Sequence, residues 1–334
     1  MGTHRSCSRT GMQPGRRRFK RRYAPAAAGL AVLVCVAALA GCPKPAGLEL
    51  RRLIHDGAER SYYLYLPGNE APAAPAPLVI ALHRFTETGA RMAQMTGFNA
   101  LADSEHLLVA YPNGKMRRFN AEPDAQPDDA GFILAMIEDI ADAYRVDRSR
   151  IYLTGASNGG FLLYRLVCEH PDVFAAAAPV MAAFFPGIAE QCAPGPAMPI
   201  MIIHGDADPI IPYDTEEVSA GPGRVLEVLP VPDTVAFWVE RNQLESSPVT
   251  APLPDTDPRD GTSAVMESYL DETGTPVVVH IRVRNGGHTW PGGREHVPPF
   301  IVGKQSRDFC ASEMIWDFFK QHQRLDPSQG TDNL

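Results

Sequence analysis

The chain has 334 residues, 45% of them hydrophobic, with 31 Lys and Arg against 39 Asp and Glu and a formal net charge of −8. That charge disfavours nucleic acid and other polyanions as partners. The length is large for one domain but ordinary for a single α/β enzyme, and no internal repeat is visible.

Residues 16–22 (Arg-Arg-Arg-Phe-Lys-Arg-Arg) form a basic stretch, residues 24–40 carry no charge, and Leu39-Ala40-Gly41-Cys42 matches a bacterial lipobox. This is an export signal, to be set aside in fold reasoning. It implies cleavage before Cys42 and lipidation of that residue; the competing reading is an uncleaved anchor, since the uncharged run approaches spanning length. Arg16-Arg17-x-Phe19 also resembles a twin-arginine signal. Removing residues 1–41 takes away eight of the 31 basic and none of the 39 acidic side chains, leaving 23 against 39 and a net charge of −16.

Residues 48–54 and 60–66 flank Asp56-Gly57 and predict an opening hairpin. An Ala/Pro loop over 68–77 leads to a buried strand at 78–82. Asp128 and Asp129 begin a helix whose apolar face includes Ile133, Ile137, Ile140 and Tyr144, acidic residues being favoured at a helix N-terminus. Later helices are expected at 233–242 and 307–321. Strands alternating with helices around apolar runs imply an α/β fold: a largely parallel sheet covered on both faces.

The most informative segment is 151–160, Ile-Tyr-Leu-Thr-Gly-Ala-Ser-Asn-Gly-Gly. A strand-like run enters Gly-x-Ser-x-Gly, and a helix-like run ending near His170-Pro171 leaves it. That order is the context of a nucleophile elbow, where small neighbours permit a sharp turn that exposes the serine. Ser157 is the candidate nucleophile. A serine hydroxyl needs a histidine base and a carboxylate to orient it, following in the order Ser, Asp/Glu, His. Residues 200–203 form an apolar run that delivers the acidic loop 204–212, and the strand expected at 276–283 empties into a glycine-rich loop containing His288. His288 is the best placed of the ten histidines.

From about Arg60 to about Lys320 the sequence resembles the secreted α/β-hydrolase esterases of the poly(3-hydroxybutyrate) depolymerase and feruloyl/acetylxylan esterase group. The resemblance is carried by residues 61–67, 77–83, 110–114, 128–132, the elbow, 204–212 and 287–293 (Gly-His-Thr-Trp-Pro-Gly-Gly). It implies an α/β-hydrolase fold and places the triad acid on Asp208, with Asp206 a close rival. It also implies an acyl-enzyme mechanism whose oxyanion is held by the N–H groups of Asn158 and Phe85. The implied division of the chain is a signal peptide over 1–41, a lipidated tether and opening strand over 42–59, the α/β-hydrolase catalytic domain over 60–322, and a flexible tail over 323–334.

The sequence departs from this group after the strand at 78–82, reading His83-Arg84-Phe85 where relatives carry His-Gly. Three consequences are open. Arg84 strains a turn built for glycine, or points into solvent, or lines the substrate pocket and favours an acidic ester. Trp290 is a second pocket candidate, suited to stacking on a sugar or aromatic acyl group, with packing beside His288 as its alternative.

Cys168 and Cys192 lie between the elbow helix and the acid strand and are the disulfide candidates; the remaining domain cysteine, Cys310, makes the number odd. Asp255, Asp257 and Asp260 do not fit a calcium loop, and no histidine spacing or phosphate-cradling loop points to a metal or cofactor. The expected activity is therefore that of an exported, lipid-anchored serine esterase without cofactor. Its substrates are polyhydroxyalkanoate oligomers or acylated polysaccharide such as feruloyl or acetyl esters, and its membrane contact is the N-terminal lipid. The alternative is a triad-bearing surface binding protein with little turnover, suggested by Arg84 alone.

Overall fold

The computed structural model describes residues 47–122, 125–192, 195–219 and 223–324. The expected signal segment, Cys42 and residues 325–334 of the expected tail lie outside the described residues. Among the described residues no helix is long and apolar enough to cross a membrane.

The hairpin forms β1 (Leu48–His55) and β2 (Ala58–Tyr65). Its corner residues Asp56 and Gly57 take φ of 49° and 71°, left-handed at both positions as a tight two-residue turn requires. The chain continues through β3 (Ala76–Leu82), α1 (Gly89–Thr96), α2 (Phe98–Glu105), β4 (Leu108–Pro112), α3 (Asp129–Ala143) and β5 (Val146–Ala156). Then follow α4 (Asn158–Glu169), β6 (Ala176–Val180), α5 (Pro186–Glu190), β7 (Ile200–Gly205), the short strands β8 (Glu217–Ser219) and β9 (Val225–Glu227), and α6 (Val231–Arg241). The last elements are β10 (Val249–Pro252), β11 (Ser263–Leu270), β12 (Pro276–Arg284), α7 (Pro299–Val302) and α8 (Ala311–Phe319).

Ten strands make one sheet in the order β1-β2-β4-β3-β5-β6-β7-β12-β11-β10. The strands from β4 to β12 in that order are parallel, and β1, β2, β10 and β11 add antiparallel edges. The two-residue period of a strand divides the core. Leu78, Ile80 and Leu82 of β3 join Ile133 of α3, Leu162 of α4 and Trp238 of α6 on one face. Val79 and Ala81 join Met92 of α1, Phe98 of α2 and Ile315 of α8 on the other. Helices therefore cover both faces, as the alternation of apolar runs implies.

β3 is followed in sequence by β4 on one side and, after α3, by β5 on the other. Such a switch in winding direction opens a crevice at the carboxyl ends of the strands, and the loops after β3 and β5 border it.

One helix starts later than expected, and one strand forms without a strand-like sequence. The segment predicted to start a helix at 307 instead stays extended until Ala311, because Asp308 accepts the N–H groups of Thr256 (2.9 Å) and Asp257 (3.1 Å), and Arg307 donates its N–H to Asp260 (2.7 Å). Asp260 and Asp308 thus serve to pin a loop. β6 (Ala-Ala-Ala-Pro-Val) has poor intrinsic strand propensity, and it forms because β5 and β7 supply partners on both sides.

Cys168 at the end of α4 and Cys192 beyond α5 are joined by a disulfide with a Cα–Cα distance of 4.4 Å, while Cys310 is free. The bridge closes a loop over a separation of 24 residues. Replacing both cysteines by alanine should lower the unfolding free energy by about 3 kcal/mol, read by urea denaturation; an unchanged midpoint would show that the bridge adds nothing.

Burial also fixes protonation states. His83 is fully buried at the end of β3, and burial lowers its imidazole to about 4, against the smaller raising effect of its bond to the Arg84 carbonyl. A histidine buried neutral takes up its proton only on unfolding, so this contribution to stability is intact above the unfolded value near 6.5 and is lost as pH falls towards 4. The unfolding free energy should therefore fall by roughly 1.4 kcal/mol per pH unit for this group between about pH 6 and 4. A flat profile over that range would contradict neutral burial.

Candidate active site

Ser157 stands between β5 and α4 with φ 52° and ψ −118°, a conformation that costs a non-glycine residue strain. The flanking glycines make the turn possible by close approach. A Cβ on Gly155 would lie 2.6 Å from the Gly159 carbonyl oxygen, and one on Gly159 would lie 2.5 Å from the carbonyl oxygen of Leu82. The first turn of α4 therefore packs directly on the ends of β5 and β3. The Ser157 N–H donates to Val180 of β6 (3.0 Å), which fixes the elbow to the sheet.

Asp208 and His288 are brought together by the adjacent ends of β7 and β12. Beyond the paired strands, the Asp206 N–H donates to Val283 (3.0 Å) and the Ala207 N–H to Gly286 (3.0 Å), so the two loops are joined by main-chain bonds. His288 Nδ1 then lies 2.7 Å from Asp208 Oδ2, both side chains being buried. The other Asp208 oxygen accepts the N–H groups of Ile210 and Ile211, each at 2.8 Å. Burial alone would raise the Asp208 carboxyl, but the charge and hydrogen bond of His288, the nearby His204 and the Ile211 N–H together hold it below its ordinary value. Asp206 faces elsewhere, accepting from Arg282 Nε (3.0 Å) and the Asn285 N–H (2.7 Å). Of the two acids, Asp208 is the one in contact with His288.

His204 was expected only as part of the acidic loop. It is fully buried beside Asp208, with Nε2 3.6 Å from Oδ2 and 2.9 Å from the Ile211 carbonyl, and burial lowers its imidazole below the ordinary value. A neutral ring here, donating to Ile211, holds the loop without adding a charge.

Asn158 begins α4, so its N–H precedes the first intrahelical bond, which Phe161 makes to Ser157 (3.1 Å). Its side chain clasps the main chain of Phe119: Oδ1 accepts the Phe119 N–H (2.7 Å) and Nδ2 donates to the Phe119 carbonyl (2.9 Å). The next residue, Asn120, donates its N–H to Asp129 (2.7 Å), which is buried and paired with Arg60. Asp128 caps α3 by accepting the Gly131 N–H (3.1 Å). The paired aspartates thus divide their work: one starts the helix and the other holds the loop that braces Asn158.

His83 joins the loops after β3 and β4. Its Nε2 accepts the Gly114 N–H (3.0 Å), which leaves the proton on Nδ1 to donate to the Arg84 carbonyl (2.8 Å). The Thr86 N–H donates to Arg117 (2.8 Å). Phe85 lies between these ties, and among the described residues no hydrogen bond takes its N–H.

Three expectations at this loop need correction. Left-handed φ falls on Thr86 (67°) rather than on Arg84, so arginine does not strain the turn. Arg84 does not point into solvent either, since its side chain is only 7% exposed. Nor does it offer an unpaired charge to a substrate, because its guanidinium forks onto Glu295 at 2.9 and 2.8 Å and lies 2.9 Å from Glu87. Sequence reasoning missed both glutamates; only Glu87, three residues on, is near enough in sequence to have drawn notice. Trp290 is also corrected: it is completely buried, donates to Ser312 (3.0 Å) and meets the edge of Phe98, so it packs the core and lines no pocket.

Residues 60–223 match the family described as Esterase PHB depolymerase. NocK of Nocardia uniformis subsp. tsuyamanensis, provisionally named an esterase, is 32% identical over 289 residues, covering 80% of this chain and 81% of that one. Poly(3-hydroxyalkanoate) depolymerase C of Paucimonas lemoignei is 36% identical over 116 residues, 32% of this chain and 28% of that protein, so the chain spans well under two thirds of that relative. Among solved structures, the acetyl xylan esterase from Aspergillus awamori superposes with a TM-score of 0.56 at 18% identity, covering 72% of this chain and 94% of that one. At such identity the structural likeness speaks for the fold, which is that of the α/β hydrolases. By its match to the family and its similarity to NocK over most of both chains, the chain belongs to the Esterase PHB depolymerase family and is a carboxylic-ester hydrolase.

Proposed function

We propose that the chain is an exported, lipid-anchored serine esterase in which Ser157, His288 and Asp208 form the triad. The observation that carries this reading is the strained elbow at Ser157, set at the switch point of the sheet, together with the buried 2.7 Å contact between His288 and Asp208. His288 takes the Ser157 proton as Oγ attacks the ester carbonyl. Asp208, ionised, holds the Nδ1–H tautomer and stabilises the imidazolium. His288 returns the proton to the leaving alcohol, and water then cleaves the acyl-enzyme by the same route. The N–H groups of Asn158 and Phe85 receive the oxyanion. The binding-protein alternative rested on strain at Arg84, and with φ outside the left-handed region there it has no support.

The surroundings favour an apolar acyl ester. Five exposed large apolar side chains follow the carboxyl ends of the parallel strands: Phe85 after β3, Met116 after β4, Ile210 after β7, and Phe300 and Ile301 after β12. The last two belong to α7, whose Val302 accepts the His288 N–H. Apolar side chains so placed suit a polyester segment better than a strongly hydrated polysaccharide. The names of the relatives, which include a poly(3-hydroxyalkanoate) depolymerase and feruloyl esterases, agree with polyhydroxyalkanoate oligomers as first choice and acylated polysaccharide as second.

Ser157→Ala and His288→Ala should each lower kcat on a 3-hydroxybutyrate oligomer by about 10⁴-fold or more with the circular dichroism unchanged. Asp208→Asn should be far more damaging than Asp206→Asn. Near wild-type turnover in either alanine variant, or the reverse ranking of the aspartates, contradicts the assignment. For the anchor, mass spectrometry of protein recovered from a bacterial membrane fraction should find an acylated Cys42 at the N-terminus, and an intact Met1 in exported protein excludes lipoprotein processing.

A further inference from the structure

Arg84 and Glu295 belong to the two loops that carry Phe85 and His288. Arg84 immediately precedes the proposed oxyanion donor Phe85, and Glu295 lies seven residues after His288. The guanidinium meets the carboxylate through two parallel bonds, Nη1 to Oε2 at 2.9 Å and Nη2 to Oε1 at 2.8 Å. That fork fixes orientation as well as distance.

Both ends of the fork are themselves held. Glu295 Oε1 accepts the N–H groups of His296 and Val297, each at 2.8 Å, and the neighbouring Arg294 N–H donates to Met95 (2.9 Å). The Arg84 carbonyl accepts from His83 Nδ1 (2.8 Å) and the Glu87 N–H (3.2 Å). Burial raises both carboxyls, but the outcomes differ. At Glu295 the Arg84 bonds and charge and the two backbone N–H groups overcome burial and hold the group below its ordinary value, whereas Glu87 remains raised. Glu295 is the lasting anion of the cluster. Glu87, near Arg84 Nε (2.9 Å) and His296 Nε2 (3.2 Å), is the secondary partner.

We propose that the Arg84–Glu295 fork is a positioning device that ties the loop bearing the Phe85 N–H to the loop bearing His288, so that oxyanion donor and general base keep one fixed separation. Arg84 touches neither substrate nor reacting atoms and acts through Phe85. The inference rests on the proposed roles of Phe85 and His288. A donor displaced by an ångström loses much of its effect on the transition state while leaving ground-state binding almost intact.

The test uses Arg84→Gln, Glu295→Gln, their double variant and Arg84→Lys in the full chain, with a neutral p-nitrophenyl ester as substrate. Each should lower kcat about 10- to 100-fold with KM within about twofold. Arg84→Lys should also fall in this range, because an ammonium keeps the charge but cannot fork. The double variant should be no worse than either single one, since all remove the same bond. Affinity for a trifluoromethyl ketone, which forms an oxyanion on the enzyme, should fall in parallel with kcat/KM, whereas affinity for the corresponding alcohol should not change; loss of packing alone would weaken both. Wild-type kcat in the single variants, or additive losses in the double, overturns the proposal. Ser157→Ala measured alongside separates the two levels: full activity there refutes the triad, whereas an inactive Ser157→Ala with unaffected Arg84 and Glu295 variants refutes only the fork.

Discussion

The architecture of the site depends on how closely the first turn of α4 approaches the ends of β3 and β5. With a Cβ at Gly159 the helix would collide with the Leu82 carbonyl, and with one at Gly155 the strand would collide with the Gly159 carbonyl. Only without those atoms does the chain turn sharply enough to hold Ser157 at φ 52°. The strain at this residue is sustained by the sheet, through the Ser157 N–H on Val180, and by the burial of Leu162, Leu163 and Leu166 beneath the helix. Once α4 is so placed, the Asn158 side chain reaches the loop after β4.

Around that fixed point the remaining parts are assembled by short polar ties rather than by apolar packing. Asp129 holds Asn120, Phe119 is held by Asn158, His83 bridges Gly114 and Arg84, and Asp206 and Ala207 join the loop of Asp208 to the loop of His288. Most are backbone bonds or bonds to backbone, which define position more narrowly than an apolar contact of similar area. Those of Asp129 and His83 are also buried, and a buried polar group left without its partner costs more than the bond is worth on balance. The loops are therefore precise although they are not regular structure.

Much of this was legible in the sequence. The hairpin turn at Asp56-Gly57, the apolar runs of β3, β5, β7 and β12, and the order of serine, acid and histidine are all local signals, set by spacing and glycine content. The contact of His288 with Asp208 follows from two strand ends that the sequence marks separately. What the sequence could not disclose were partnerships between distant residues. Arg84 finds Glu295 across 211 positions, and no periodicity connects them. Trp290 stays open between pocket and packing in the sequence for a related reason: proximity to His288 along the chain does not fix the direction of its side chain, which is turned into the core against Phe98 and Ser312. β6 escaped because alanine signals helix, and only its sheet neighbours make it a strand.

The central claim is that the strained serine at the end of β5 is the nucleophile and that His288 activates it. Tandem mass spectrometry of the protein after exposure to a fluorophosphonate tests this most directly, because the reagent requires an activated serine and leaves a covalent mark at the atom that attacked. The account predicts a single adduct on the peptide carrying Ser157, abolished in Ser157→Ala and greatly slowed in His288→Ala. An adduct on another residue, or undiminished labelling at Ser157 without His288, would contradict it.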